Sequence, residues 1–414
     1  MSLSFRLFCP GLFLFVLLAA STALAGASLT AVPAKENASP AASSVQTKAP
    51  APASSAKTAP AAPAAPASQA NLAKWKPLLA RLRADGFDSA QVNALFSRPE
   101  AVFNENAMGD KLTTLYMRKF GSKLAREIQG ELMRLGYYPG PADGRMGRMA
   151  KWSVKAYKEA VGLPVNTSIS LELLDRLRQD ATHVPDGFAF PEFTTEQVYE
   201  LVMRPERLAE GERFYRENRE ALRRVRETYG VPEDVAAGLV TVETRAGNFL
   251  GGESALVNLA SMALAGDYGQ VADVFSYEAP SASQTAWLKA KAAEKGDWAY
   301  KELKALLEYA ARIGRDPLTM PGSIYGAIGV CQFMPTNAVR YTVDGDGDGK
   351  ADLFNVADAL QSMGNFLTVI GWDGNMTEAK MRKVLRRYNQ SDVYVNTILA
   401  VAAHLRRTVA NGGS

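Results

Sequence analysis

Apolar positions recur every three or four residues along most of the chain, beginning with Trp75, Leu78, Leu79 and Leu82. That spacing places the apolar side chains on one face of a helix. Glycine and proline separate successive helical stretches, and no stretch shows the sustained alternation of apolar and polar residues that is typical of a sheet. From Leu72 onward, the pattern therefore predicts a predominantly α fold.

Two segments at the N-terminal end have different patterns. Residues 1–25 contain Arg6 and an almost wholly apolar run from Leu7 to Ala20, followed by small residues. This order predicts a secretory signal peptide, with an uncleaved N-terminal anchor as the alternative. Residues 26–70 consist mainly of Ala, Pro, Ser, Thr and Lys, so they have little to bury and are expected to form a disordered tether. No other run is long and apolar enough to span a bilayer, so the processed chain is not expected to be an integral membrane protein.

Composition excludes several classes of protein. The chain has 414 residues, of which 47% are apolar, and its 47 basic and 43 acidic side chains give a net charge of +4. This balance argues against a polytopic membrane protein and against a nucleic-acid partner. With only two histidines, His183 and His404, a zinc site of several histidines is not expected. Removal of the signal peptide would leave Cys331 as the only cysteine, which rules out an internal disulfide.

Residues 121–185 show the pattern of a separate small unit of three helices. The first helix carries an apolar stripe made of Leu124, Ile128, Leu132 and Leu135. A turn-rich loop over 137–147 and the Gly-Leu-Pro-Val run at 162–165 follow at the spacing of the three-helix peptidoglycan-binding module, which this unit resembles. Wall binding is what that resemblance implies. The alternative is a structural spacer that no longer binds the wall.

The segment 229–247 contains the first candidate for chemistry. Pro232 suits the first turn of a helix, and the apolar residues that follow predict a helix in the centre of the core. Glu243 lies in phase with the apolar Leu239 and Val240. A carboxyl group on the buried side of such a helix has a raised pKa, which keeps it protonated and ready to act as a general acid. On spacing alone, the alternative is a glutamate that faces solvent or pairs with Arg245.

Four motifs in a fixed order resemble the lytic murein transglycosylase B family. They are Gly-Val-Pro-Glu at 230–233 with Val-Glu-Thr-Arg at 242–245, the loop 322–335, the acidic loop 344–354 and Arg-Tyr-Asn-Gln-Ser at 387–391. Shorter matches upstream extend the similarity to 71–120 as well as 187–410. The resemblance implies a lysozyme-like helical catalytic domain at 186–414, whose N-terminal helical part is 71–120, with the small unit lying between the two.

The family also implies an activity. Glu243 would act as the single acid and base that cleaves the β-1,4 bond between N-acetylmuramic acid and N-acetylglucosamine, leaving a 1,6-anhydro ring and consuming no water. The substrate-binding residues that the resemblance implies are Ser323, Gln332, Tyr388, Asn389 and Tyr394. The partner would be the glycan strands of peptidoglycan, and with the signal peptide this places the protein in a Gram-negative-type periplasm. The alternatives are a non-catalytic wall-binding scaffold and a hydrolytic muramidase.

The acidic loop has the pattern of a calcium site. Asp344, Asp346, Asp348 and Lys350 occupy positions 1, 3, 5 and 7 of an EF-hand loop, the last through its backbone carbonyl, and a glycine stands at position 6. Position 12 is not the usual glutamate. Asp358 would instead reach back from the following helix, as in the lengthened loop of the family. We therefore expect a structural Ca²⁺ ion, with a solvated acidic turn as the alternative.

Overall fold

The regular structure consists almost entirely of helices. The computed structural model describes residues 66–410, with gaps at 182, 185–186 and 194–196. The predicted signal peptide and residues 26–65 of the predicted tether lie outside the described residues. The first helix begins at Pro66, so the tether prediction is wrong for residues 66–70. Proline suits a first helical turn, and the alanine and glutamine that follow favour helix, which periodicity alone does not detect.

The described helices follow one another along the chain. The N-terminal three are α1 (Pro66–Ala84), α2 (Ser89–Phe96) and α3 (Asn106–Phe120). The next three are α4 (Lys123–Arg134), α5 (Arg148–Ala160) and α6 (Leu171–Gln179). The remainder are α7 (Pro205–Glu217), α8 (Arg219–Tyr229), α9 (Glu233–Thr244), α10 (Ala255–Leu264), α11 (Ala282–Ile313), α12 (Pro335–Tyr341), α13 (Val356–Val369), α14 (Glu378–Tyr388) and α15 (Asp392–Leu405). The predicted predominantly α fold is confirmed.

The described β-structure of two or more residues is one short antiparallel pair. Strand β1 (Glu253–Ser254) pairs with β2 (Pro321–Gly322), with Glu253 opposite Gly322. The pair requires close backbone contact, since a Cβ atom on Gly251 would lie 2.0 Å from the Gly322 carbonyl oxygen. It brings the segment after α9 against the beginning of the 322–335 loop. Within 66–410, no helix combines the length and hydropathy of a membrane span.

Helices from both ends of the described chain share one hydrophobic core. Trp75 of α1 and Leu112 of α3 are fully buried in the same cluster as Leu239 of α9 and Ile398 of α15. The indole of Trp75 also donates a hydrogen bond to the Ala101 carbonyl at 2.8 Å. The segment before α4 is thus packed together with the segment after α6.

Helices α4, α5 and α6 bury a second, separate cluster. Its centre includes Ile128, Val154 and Leu174, each fully buried. The unit is fastened to the rest of the chain at the N-terminus of α4, where the Glu278 carboxylate accepts hydrogen bonds from the Ser122 hydroxyl at 2.8 Å and from the backbone N–H of residue 123 at 2.6 Å. A carboxylate in that position also complements the positive end of the helix dipole.

A close contact between α9 and α15 positions the candidate site. A Cβ atom on Gly238 would lie 3.1 Å from the Ile398 carbonyl oxygen and 3.4 Å from the Ala402 nitrogen, so only a glycine leaves room without displacing the neighbouring backbone. Glu243, farther along α9, meets Tyr394, earlier on α15. The two helices therefore run in opposite directions, and their close approach aligns these two side chains.

Candidate active site

Helix α9 holds Glu243 inside the protein. Every residue from Asp234 to Thr244 is buried, and Glu243 itself is only 6% exposed. Leu239 and Val240 are on the same face and completely buried. Exposing such side chains costs about 2 kcal/mol each, so the helix does not turn Glu243 to solvent. The alternative pairing with Arg245 also fails, because that guanidinium lies 2.8 Å from Glu210.

The environment of Glu243 favours the protonated acid. Burial raises the pKa of its carboxyl group from 4.5 to about 8, although the hydrogen bond with Tyr394 lowers it in part. The Tyr394 hydroxyl donates to Oε1 at 2.5 Å. Oε2 is buried and has no hydrogen-bond partner among the described residues. Since Oε1 is already an acceptor, the carboxyl proton is assigned to Oε2, the oxygen that is free to donate it.

The described titratable groups that interact with Glu243 include no second carboxylate. Those whose pKa responds to its charge are three tyrosines and one thiol: Tyr199, Tyr388, Tyr394 and Cys331. Burial is the main cause of the raised pKa of all four. Within the described residues, Glu243 is thus a lone acid in a neutral, mostly aromatic environment.

The turn that follows α9 is conformationally strained. Arg245 and Ala246 both have positive φ angles, 53° and 59°. Such angles cost a non-glycine residue free energy and persist where the surroundings impose them. Here the Thr244 hydroxyl donates to the Val330 carbonyl at 2.8 Å, and the backbone N–H of Gly247 donates back to the same hydroxyl at 3.1 Å. The first bond joins the end of α9 to the 322–335 loop, and the second holds the turn against the same hydroxyl.

Ser323 and Gln332 shape the 322–335 loop from within. The Ser323 Oγ accepts backbone N–H groups from Tyr325 and Ala327, at 3.3 and 3.0 Å. Gln332, with a φ of 49° and only 4% exposed, donates its side-chain amide to the carbonyls of residues 329 and 250. Both side chains therefore have structural partners in the loop, and their contact with sugar stays a prediction.

Tyr388 and Asn389 lie at the end of α14, and both are buried. The Tyr388 hydroxyl donates to the Cys331 carbonyl at 2.7 Å, and its ring lies nearly parallel to that of Tyr394, 6.5 Å away. Of the two tyrosines, Tyr394 is the one that donates to Glu243. A role for Tyr388 in positioning the acid would therefore be indirect, through the backbone of the loop.

Two residues near Glu243 were missed by sequence reasoning. Thr244 lies inside the 242–245 motif, which gave no indication of its bond to the loop. Tyr199 belongs to a non-helical segment, and its backbone N–H donates a hydrogen bond to the Thr397 hydroxyl at 2.8 Å. Nothing in the local pattern around Tyr199 predicts its proximity to the acid.

The acidic loop brings three of the predicted calcium ligands together. One carboxylate oxygen each from Asp344, Asp346 and Asp348 lie within 4.8 Å of one another. Hard oxygen donors of this kind are those that Ca²⁺ prefers, so the donor set fits the ion. The Asp358 carboxylate is not part of this group of three. Its two oxygens accept hydrogen bonds from the backbone N–H groups of Gly345, Asp346 and Asp352. The backbone N–H of Lys350 donates to Asp348 at 2.8 Å.

This loop is also connected to the candidate active site. The Leu353 carbonyl accepts the Val330 N–H at 2.9 Å, and the Leu353 N–H donates to the Tyr309 hydroxyl at 2.8 Å. Val330 is the residue whose carbonyl accepts the Thr244 hydroxyl. Two hydrogen bonds in series, through Val330, therefore join the acidic loop to Thr244, the residue next to Glu243, and the bond to Tyr309 ties the same loop to α11.

Comparison with known proteins agrees with this organisation. Residues 122–177 match the "Putative peptidoglycan binding domain" family, within the predicted 121–185 unit. "Membrane-bound lytic murein transglycosylase B" of Escherichia coli (strain K12) is 32% identical over 168 residues, which is 41% of this chain and 39% of that protein. The match thus spans about two fifths of the length of that curated relative.

Similar solved structures are also lytic transglycosylases. Slt35 from Escherichia coli in complex with calcium has a TM-score of 0.46 and 16% identity, covering 83% of this chain and 94% of that one. The soluble lytic transglycosylase SltB1 from Pseudomonas aeruginosa has a TM-score of 0.42 and 18% identity, covering 70% and 99%.

The family comparison decides the identity of the main region. The "Transglycosylase SLT domain" family matches residues 151–383, which is more than half of the 414 residues. The predicted resemblances to the lytic murein transglycosylases and to the peptidoglycan-binding module are confirmed. The segment with Glu243, the 322–335 loop and the acidic loop lies inside the match, and the chain belongs to the Transglycosylase SLT domain family.

Proposed function

We propose that this protein is an exported lytic transglycosylase that cleaves the β-1,4 bond between N-acetylmuramic acid and N-acetylglucosamine in peptidoglycan. The product carries a 1,6-anhydro-muramic acid end. The observation that supports this most strongly is the lone Glu243 carboxyl, which is buried, protonated at neutral pH and unpartnered at Oε2.

The reaction uses this carboxyl twice. Glu243 first donates the Oε2 proton to the glycosidic oxygen as the bond from that oxygen to muramic acid C1 breaks. The resulting carboxylate then removes the proton from the C6 hydroxyl of the same muramic acid, whose oxygen bonds to C1 and closes the anhydro ring. An internal nucleophile of this kind has a very high effective concentration, so no second carboxylate is needed to activate water. The Tyr394 hydroxyl stabilises the carboxylate between the two steps.

The two alternative functions fit the site less well. Hydrolytic glycosidases of the usual kind need a second carboxylate about 5 to 9.5 Å from the acid. Among the described residues, no carboxylate is close enough to affect the pKa of Glu243. A scaffold would have no use for a buried acid, since a glutamate with a raised pKa lowers stability at neutral pH.

Digestion of purified sacculi separates the three functions. We expect the native protein to release muropeptides with anhydro ends, each one water lighter than the reducing form in a mass spectrum. Reducing ends would indicate the hydrolase, and no release would indicate the scaffold. Glu243→Gln should abolish release while the protein still folds. Glu278→Gln, which alters the attachment of α4 instead, is the matched control and should retain activity. Full activity of Glu243→Gln would exclude Glu243 from the mechanism.

The acidic loop is proposed to bind a structural Ca²⁺ ion. Asp344, Asp346 and Asp348 would supply carboxylate oxygens and Lys350 its carbonyl, with Asp358 as a further ligand from α13. Bound calcium supplies a positive charge that holds the acidic loop together against its own repulsion. Through Leu353 and Val330 the ordered loop would support the end of α9.

The proposed location is the periplasm, with peptidoglycan glycan strands as the partner. The match to the peptidoglycan-binding family supports a wall-binding role for the 121–185 unit. Cosedimentation of the Glu243→Gln protein with insoluble wall, with and without residues 121–185, tests that role. Equal cosedimentation of both proteins would instead make the unit a spacer. Cell fractionation and N-terminal sequencing of the mature protein test export and cleavage.

A further inference from the structure

Lys111 on α3 is a partly buried cation without an anionic partner. Its Nζ lies 4.0 Å from the centre of the Tyr325 ring and 5.5 Å from that of the Trp298 ring. Among the described residues, no carboxylate lies within ion-pair distance of Lys111, whereas Lys295 and Lys304 on the neighbouring helix α11 both have acidic partners. An ammonium group that is partly withdrawn from water normally pairs with a negative charge. We call Lys111, Trp298 and Tyr325 the Lys111 pocket.

A second donor of the Lys111 pocket also lacks an acceptor. The indole Nε1 of Trp298 is buried and has no hydrogen-bond partner among the described residues. Leaving a buried N–H unpaired is unfavourable, and Trp indoles usually find a partner when buried. Two donors, one of them charged, thus belong to neighbouring side chains and lack an acceptor among the described residues. This combination suits an acceptor that carries negative charge and arrives from outside.

The Lys111 pocket adjoins the loop that the proposed function assigns to the glycan. Tyr325 is 6% exposed and follows Ser323 by two residues in the 322–335 loop. The Ser323 carbonyl accepts the side-chain amide of Asn258 at 3.3 Å, and Asn258 in turn accepts the amide of Asn104 at 2.7 Å. The segment before α3, helix α10 and the loop are therefore fixed relative to one another, which places the pocket at a defined position beside the loop.

We infer that the Lys111 pocket binds a carboxylate of the peptidoglycan substrate through the Lys111 ammonium and the Trp298 indole N–H. This inference rests on the proposed function. Carboxylates occur on the peptide stems of peptidoglycan, and on the lactyl groups of muramic acid where stems have been removed. Both sources offer the same charged acceptor. An uncharged sugar hydroxyl would not compensate the ammonium charge.

The charges around the pocket give the contact a pH dependence. Burial lowers the pKa of Lys111 to about 8, and the charge of Lys295 on α11 contributes to the shift. Asp110 on α3 and Glu253 at β1 are the nearby carboxylates, and burial followed by the charge of Glu253 raises the pKa of Asp110. Helix α10 carries no charged residue. Binding of a carboxylate should therefore weaken above about pH 8, as Lys111 loses its proton.

A binding measurement on the full chain tests the inference without turnover. The Glu243→Gln protein is titrated with soluble glycan strands bearing stems, with strands whose stems have been removed, and with both after conversion of their carboxylates to methylamides. We expect about tenfold tighter binding to at least one carboxylate form than to its methylamide. The preferred form identifies the source, stem or lactyl group. The preference should diminish between pH 7 and pH 9.

Variants in the same background separate recognition from folding. Lys111→Met keeps the aliphatic chain over the rings and should remove the preference, whereas Lys111→Arg should retain it. Trp298→Phe keeps a ring but removes the donor, so it should reduce the preference in part. No preference in the parent protein, or a full preference in folded Lys111→Met, would overturn the inference. Because the measurement needs no catalysis, it is independent of whether anhydro products form, which is the test of the proposed function.

Discussion

Replacement of Glu243 by glutamine should stabilise the protein, by an amount that grows with pH. Burial raises the pKa of Glu243 from 4.5 to about 8. Between these values the unfolded chain releases the proton and the folded chain keeps it. The free energy of unfolding of the native protein therefore falls as pH rises through this interval. Glutamine has nearly the same shape, still accepts a hydrogen bond from Tyr394 and does not titrate. The free energy of unfolding of the variant therefore does not fall with pH for this reason.

The size of the effect follows from the shift in pKa. The slope is about 1.4 kcal/mol per pH unit, since one more proton is bound in the folded state than in the unfolded state. At pH 7 the accumulated loss in the native protein is about 3 kcal/mol. Below pH 4 both states carry the proton, so the difference between native and variant should be small and constant.

Urea unfolding at pH 5, 6, 7 and 8 measures the difference directly. The advantage of Glu243→Gln should increase at each step. Glu212→Gln is the matched control, because the hydrogen bond from His404, with help from Arg216, holds the pKa of Glu212 below its usual value. That carboxylate stabilises the fold above pH 4.5, so its replacement should destabilise the protein. A pH-independent difference for Glu243→Gln would refute the assignment of a raised pKa.

Three further changes have definite expected outcomes. Tyr394→Phe removes the hydroxyl that lowers the pKa of Glu243, so the alkaline limb of the pH–rate profile should move to higher pH and kcat should fall about a hundredfold. Ca²⁺ should raise the melting temperature of the native protein but not that of Asp344→Asn. With a chelator present, the two proteins should have similar melting temperatures. Thr244→Val leaves the Val330 carbonyl without its donor and should lower the free energy of unfolding in urea by about 1 to 3 kcal/mol.

Each change has a control elsewhere in the chain. Tyr388→Phe removes a hydroxyl that donates to Cys331, so it should leave the alkaline limb in place. Asp373→Asn lies on the surface, beside Lys380, and should leave the calcium effect unchanged. Thr368→Val removes only a hydrogen bond to the preceding turn of α13 and should change the free energy of unfolding little. Equal effects of a variant and its control, or a melting temperature insensitive to both Ca²⁺ and chelator, would contradict the corresponding proposal.

Local pattern was enough to predict the position of the acid but not its partner. The phase of Glu243 with Leu239 and Val240 indicates a buried carboxyl, because helical periodicity fixes which residues share a face. The choice between Tyr388 and Tyr394 depends on how α9 crosses α15, where Gly238 lets the backbones approach. That geometry depends on residues more than 150 positions apart and is not present in either local pattern.

Contacts between distant segments also account for the other features of the site that the local sequence pattern does not predict. Tyr199 and Lys111 reach their positions through packing of distant segments. No periodic or motif signal marks Tyr199, and Lys111 lies in the upstream stretch 108–112, whose resemblance to the family assigns it no role. The acidic loop was predicted from the spacing of its carboxylates, which defines a local structure. In contrast, the hydrogen bonds of Asp358 to the loop backbone depend on how α13 begins, which the spacing does not specify.

The central claim is that one protonated glutamate cleaves the glycan with an internal hydroxyl as nucleophile. Digestion of sacculi in water enriched in the heavy isotope of oxygen tests it most directly. With the C6 hydroxyl as nucleophile, newly formed muramic acid ends should be anhydro and carry no label, and Glu243→Gln should form none. Reducing ends that carry the heavy oxygen would show that water is the nucleophile and would contradict the account.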